Sequence, residues 1–202
     1  MGERQVMERT RRLDGMEVPV PGTWVADPAH TTLGFVARHL MVTKVRGRFG
    51  EFEGGIHVAE RLEDSWAEGV AKAASIDTGV PDRDAHLRSP DFLDVENHPE
   101  VRLRLTEFER LEGPRFRVQG ELTIRGETRP VTLDATFEGV GTDHTGRARA
   151  FFSATGEIDR EDWGLRWNVV LEGGGVLVSR KVQLELEVSA ILQEDEPASQ
   201  AD

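Results

Sequence analysis

The chain has 202 residues, a formal net charge of −12 at pH 7 and no cysteine. An acidic balance excludes nucleic acid as the expected partner, because phosphate binding needs a basic face, and it disfavours docking on anionic lipid surfaces. Disulfide and thiolate chemistry are excluded. No run approaches the roughly 18 apolar residues of a bilayer span, so no stable membrane insertion is expected.

Residues 1–21 are charge-rich, with Val6, Met7, Leu13 and Met16 the only sizeable apolar groups before Val18. They predict a flexible extension, a tail or a short helix, bounded by Pro19 and Pro21. This segment lacks the apolar core of a secretory signal, so a cytoplasmic location is expected. Residues 193–202 are acidic and polar and predict a disordered tail. Residues 22–192 between them form one domain.

Within that domain the apolar residues recur with period 2, the mark of half-wet strands. A short strand is predicted over Trp24–Asp27. Thr31–Leu40 follows, with Leu33, Phe35, Ala37 and His39 on one face. Over Lys44–Val58 the apolar phase shifts from odd (Val45, Phe49) to even (Phe52, Ile56, Val58), which predicts a bulge or sharp bend near Gly50. Glu63–Ala74 reads as a strand with Ala67, Gly69, Ala71 and Ala73 on one face, although its alanines also suit a helix. Asp82–Asp94 predicts one or two short helical turns. Val101, Leu103 and Leu105 then alternate with polar residues.

The clearest signal is a hairpin. Phe116, Val118, Gly120, Leu122 and Ile124 alternate with polar residues, a turn is predicted over Gly126–Pro130, and Val131, Leu133, Ala135 and Phe137 resume the pattern. Arg147–Ile158 gathers Ala148, Ala150, Phe152, Ala154, Gly156 and Ile158 on one face, and the last strand gathers Val182, Leu184, Leu186, Val188 and Ala190. The fold class is therefore all-β: an extended antiparallel up-and-down barrel of about eight strands, lipocalin-like, with one or two short helices. A two-sheet sandwich is the structural alternative. A barrel of eight strands is either packed solid or has room for one ligand.

Inward-facing candidates are Leu33, Phe35, Ala37, Leu103, Leu105, Phe116, Val118, Leu122, Val131, Leu133, Phe137, Phe152, Leu184, Leu186 and Val188. Taken alone, they fit either a solid core or the lining of a tunnel. His39 follows the inward alternation, so it reads as a satisfied core histidine or a polar contact to a ligand. Arg83, Asp84, His86, Arg88 and Asp91 form a dense ionisable stretch that would cap a barrel end or grip a charged head group through the guanidinium fork. His30 pairs in sequence with Asp27 as a turn contact. Asp159–Asp162 reads as a polar turn. Trp163 and Trp167, followed by Gly173–Gly175, suggest a lip over a barrel mouth. The six histidines are dispersed, which gives no metal-ligand spacing, and no Gly-x-Ser-x-Gly elbow occurs.

Several motifs recur in a family order: Trp24-Val-Ala-Asp27-Pro-Ala-His30, Phe35-Val-Ala-Arg-His39, Gly47-Arg-Phe49 with Phe52-Glu-Gly54, Ser75-Ile-Asp-Thr-Gly79, Arg83-Asp-Ala-His86-Leu-Arg-Ser89-Pro-Asp-Phe92, Gly120-Glu-Leu-Thr-Ile-Arg-Gly126 and Arg160-Glu-Asp-Trp-Gly164. Through them, residues 22–192 resemble the YceI-like family of lipocalin-like barrels associated with polyisoprenoid binding. The resemblance implies a long apolar tunnel lined by the inward residues and walled or closed by Trp163 and Trp167, a position for the former where the family often has Phe. It implies an apolar ligand such as a polyprenyl lipid or a quinone tail; the residues themselves offer His39, Arg83, His86 and Arg88 as candidate polar contacts, and no cofactor or metal is expected. Carriage, storage or presentation of that ligand is the expected role. An enzyme acting on a prenyl substrate and a solid-cored stress protein are the alternatives, and pairing of two copies through barrel rims is a further expectation.

Overall fold

The computed structural model describes residues 9–13, 15–170, 172 and 176–193. Its elements are β1 (Thr10–Leu13), β2 (Met16–Pro19), β3 (Gly22–Ala26), β4 (Thr32–His39), β5 (Thr43–Phe49), β6 (Phe52–Val58), β7 (Trp66–Lys72), β8 (Ile76–Asp77), α1 (Pro81–Arg88), β9 (Glu100–Arg110), β10 (Arg115–Ile124), β11 (Glu127–Thr142), β12 (Ala148–Asp159) and β13 (Lys181–Leu192). The expected tail of residues 1–8 and of residues 194–202, and Gly173–Gly175 of the expected lip, lie outside the described residues.

Strand pairing closes a barrel. The ladder runs β12-β11-β10-β9-β7-β6-β3-β13, and β13 returns to pair with β12 along its length. The strand β13 carries β3 on its other edge at Ala190–Leu192 and β4 at Gln183–Glu187. β3 and β4 are thus two halves of one rung. The same holds for β5 and β6, which pair with β4 and β3 respectively, and for β7 and β8, which pair with β6 and β5. The phase shift near Gly50 is this break, where one rung changes neighbours, rather than a bulge inside one strand. Eight antiparallel rungs result, and no edge is left along the closed part.

The hairpin is tighter than its sequence suggests. β10 and β11 join through Arg125 and Gly126 alone, with Ile124 opposite Glu127. Both loop residues sit at positive φ, 52° and 75°, as a two-residue connection matched to strand twist requires. The expected turn over Gly126–Pro130 is corrected accordingly, since Pro130 lies within β11, opposite Glu121. It is tolerated there because β11 pairs with β12 only from Asp134 onward, so its missing N–H breaks no ladder bond on that side.

The N-terminal segment differs more sharply. Residues 10–19 form the β1–β2 hairpin instead of a tail or helix. Val18 is almost fully buried. Arg11 donates to the carbonyls of Ala59 and Glu60 at 2.6 and 2.7 Å and to the Glu60 carboxylate at 2.7 Å, which ties the hairpin to the β6–β7 connection.

Candidate ligand-binding tunnel

Inward-facing side chains fall into two groups. Leu133 is fully buried, Trp163 is 2% exposed, and Val131, Ile124 and Ile158 are also buried, around the end of the barrel where β10 turns into β11. Leu133 packs over Gly156, where an added Cβ would stand 2.4 Å from its Cδ2. The Trp163 indole N–H donates to the Leu122 carbonyl at 2.9 Å. This end is a plug. A second packed group, Trp24, Val58, Ala148, Ala150 and Ala190, sits toward the other end, and the Trp24 indole N–H donates to the Val20 carbonyl.

Between these ends Leu33, Phe35, Leu103, Phe116, Phe152, Leu184, Leu186 and Val188 also face inward, yet each is only partly buried. Inward side chains that keep solvent-sized space beside them line a hollow. Its volume is about 240 Å³ and its wall is almost entirely apolar. Small residues widen it on one side, because Ala67, Gly69 and Ala71 of β7 all face it, opposite Leu105, Leu103 and Val101 of β9. Val18 and Pro19 of the N-terminal hairpin also line it, a contribution with no sequence signal beyond two apolar residues beside prolines.

Of the expected tunnel residues, Leu33, Phe35, Leu103, Leu105, Phe116, Val118, Leu122, Phe137, Phe152, Leu184, Leu186 and Val188 line the hollow. Val131, Leu133 and Trp163 belong to the plug instead, and Trp167 packs outside it against Phe92 and His86 with ring centroids 5.3 and 4.5 Å away. Neither tryptophan walls the hollow. Ala37 is also absent from the lining, and His39 is exposed rather than inward. β13 holds β4 as far as Val36; beyond it β4 runs on against residues 177–179, where Ser179 donates its N–H to the Arg38 carbonyl and His39 bridges Val178, away from the stretch that lines the hollow.

The expected polar contacts are scaffold bonds. Arg83 donates to the Thr78 hydroxyl and carbonyl at 2.7 and 2.9 Å. Buried Asp84 accepts from the Thr78 N–H and hydroxyl at 2.9 and 2.5 Å. His86 Nε2 pairs with Asp91 at 2.8 Å. Arg88 donates to the carbonyls of Ala74 and Ile76 at 2.7 and 2.8 Å, fastening α1 across the chain entering β8. None of Arg83, His86 and Arg88 reaches the hollow. Arg88→Ala is expected to strand two carbonyls and cost about 1–3 kcal/mol in urea unfolding while leaving the lining of the hollow unchanged.

Arg160 lies in a run that reads from sequence as a polar turn. It is buried, donates to the carbonyls of Ser179, Leu165 and Trp167, and lies 5.9 Å from the Phe92 ring centroid. Its guanidinium stitches the crossing from β12 to β13, so it is structural. Desolvation lowers its pKa.

A charged clasp holds the other end. Arg149 donates to Asp27 at 2.5 Å and to Asp143 at 3.1 Å, and His30 Nδ1 meets Asp27 at 2.8 Å as expected. The Arg149 hydrogen bond, then that of His30, hold the Asp27 carboxyl down at about 2. The Thr145 hydroxyl is the main cause lowering Asp143. A folded pKa below the ordinary 3.8 gives stability that is present above that value and lost as pH falls toward about 2. Thermal melts should therefore drop steeply between those pH values. In Arg149→Met the drop should be shallower, from a lower starting point at neutral pH.

The YceI-like domain matches residues 24–190 of the chain, which decides the relationship. The chain belongs to the YceI-like family. Among YceI-like relatives, the UPF0312 protein SERP2314 of Staphylococcus epidermidis is 35% identical over 79% of this chain and 91% of its own. The UPF0312 protein plu2095 of Photorhabdus laumondii is 34% identical over 74% and 75%. The crystal structure of the Campylobacter jejuni YCEI protein is similar with a TM-score of 0.66 at 26% identity, covering 78% of this chain and 90% of that one. A polyisoprenoid binding domain from Saccharophagus degradans has a TM-score of 0.65 at 14% identity, covering 86% and 100%, and shares the fold. The YceI-like barrel expected from the residues is thus the observed one. Among the described residues, no helix is long and apolar enough to cross a membrane.

Proposed function

We propose that this protein houses one long apolar chain, a polyisoprenoid lipid or the tail of an isoprenoid quinone, for carriage, storage or presentation. The observation that carries this reading is the set of inward but half-buried side chains around an apolar hollow of about 240 Å³. The description of the Saccharophagus degradans neighbour as a polyisoprenoid binding domain supports the choice of ligand class. Burying a methylene is worth about 0.8 kcal/mol, so each five-carbon unit contributes about 3–4 kcal/mol gross before chain ordering is subtracted. No polar grip is needed. The ionisable candidates His39, Arg83, His86 and Arg88 stand away from the lining, which favours holding over turnover.

Native mass spectrometry of the purified protein, followed by solvent extraction, tests this. A co-purifying apolar molecule, or saturable uptake of an added polyprenyl alcohol or quinone without its conversion, is the expected result. A protein that yields no lipid and takes up none overturns the reading, and conversion of the bound lipid would make the protein an enzyme.

A further inference from the structure

The tip of the β4–β5 hairpin is built against the interests of folding. Val42 donates its N–H to the His39 carbonyl at 3.1 Å, closing a turn whose central residues, Leu40 and Met41, have φ of 52° and 61°. That left-handed pair of positions favours Asn-Gly, and bulky side chains are strained there. The β10–β11 turn of the same chain meets this demand with Gly126. Leu40, Met41 and Val42 are also exposed, by 44, 52 and 74%. Directly beneath them Arg38 and Lys44 are cross-strand partners, both exposed, and like charges so placed repel. Strain, apolar exposure and repulsion coincide within seven residues.

A second exposed apolar segment stands beside the first. Leu40 donates its N–H to the Leu177 carbonyl at 2.9 Å, and Leu177 donates to the Val169 carbonyl at 3.0 Å. Val169 and Val170 are 43 and 80% exposed. The local charge is opposite to that of the whole. Between Asp27 and Glu51 the sequence has no acidic residue but carries Arg38, Lys44, Arg46 and Arg48. Glu185 and Asp77 answer Arg46 and Arg48 at 3.6 Å, whereas Arg38 and Lys44 make no ion pair among the described residues. Arg38 donates to the Val42 carbonyl, at the tip itself. Glu172 follows Val170 by two residues in the sequence.

We infer that this doubled tip is a docking point for an anionic lipid bilayer. Leu40, Met41, Val42, Val169 and Val170 enter the boundary between head groups and acyl chains, and Arg38 and Lys44 meet lipid phosphates just above them. A projecting apolar tip with a cationic collar matches the layering of such a surface. The net charge of −12 keeps the contact shallow, reversible and confined to this end. The inference does not depend on what the tunnel holds.

The test is co-sedimentation of the full chain with vesicles of equimolar phosphatidylcholine and phosphatidylglycerol at low salt. The protein is expected to bind these, and to bind pure phosphatidylcholine vesicles or high-salt samples weakly. Leu40→Asn with Met41→Gly gives the turn the residues it favours. This variant should melt at the same temperature or higher, yet lose at least about tenfold in partitioning. Arg38→Ser with Lys44→Ser should erase the preference for the anionic vesicles. Gly69→Leu, which fills the tunnel, should sediment like the parent, separating docking from lipid uptake. No binding by the parent, or unchanged binding by the Asn-Gly variant, overturns the inference. So does an effect of that variant on self-association alone, since the tip would then be a contact between copies.

Discussion

Gly69→Leu should abolish ligand uptake without harming the fold. Gly69 faces the hollow between Ala67 and Ala71, its φ is ordinary, and a Cβ added there meets only the Glu53 carbonyl, at 3.8 Å. Four new carbons would enter space otherwise available to the ligand. Displacing as many methylenes costs about 3 kcal/mol, or about a hundredfold in Kd. The melting temperature should hold or rise, because glycine inside a strand is a weak choice and the new side chain buries apolar surface. Titration with a polyprenyl alcohol and a thermal melt on the same sample check both halves. Gly54→Leu is the contrasting control: at φ 154° its Cβ would lie 2.3 Å from the Glu68 carbonyl oxygen, so backbone must move and the fold suffers. If Gly69→Leu binds like the parent, the hollow is not where the ligand sits.

Trp163→Ala should be among the most destabilising single changes. The side chain is 2% exposed and packs in the plug with Leu122, Ile158 and Leu165. Truncating a buried tryptophan costs about 3–5 kcal/mol, and loss of its N–H also strands the buried Leu122 carbonyl. In a chain of 202 residues that lowers the melting temperature by about 10 °C. Trp163→Phe keeps most of the packing and should cost only about 1–2 kcal/mol, chiefly the hydrogen bond. Urea unfolding of the two variants distinguishes plug from lip, since a lip residue would show little loss in either.

The period-2 pattern revealed the rungs because each has one face in the interior, and it placed most of the lining correctly. It could not tell which inward residues meet a hollow. Leu133 and Leu184 alternate in the same way, yet one lies over Gly156 and the other opposite an open space, a difference set by partners far away in sequence. Parity also failed at His39, where the alternation continues but β4 has left β13 for residues 177–179, a change of partner that β4 itself does not announce. The polar candidates around α1 were recognisable as a cluster, but only distances show their donors spent on backbone carbonyls. Arg160 opens one of the family motifs, but its burial left no trace, since a buried arginine between acidic neighbours reads like any exposed one.

The N-terminal hairpin has a practical corollary. It precedes the matched family segment, which begins at Trp24, yet Val18 and Pro19 form part of the wall of the hollow. The capacity of this vessel is therefore set partly by chain that family boundaries omit. A shortened protein starting at Trp24 would lack that part of its wall, and ligand preferences measured on it would describe a different container.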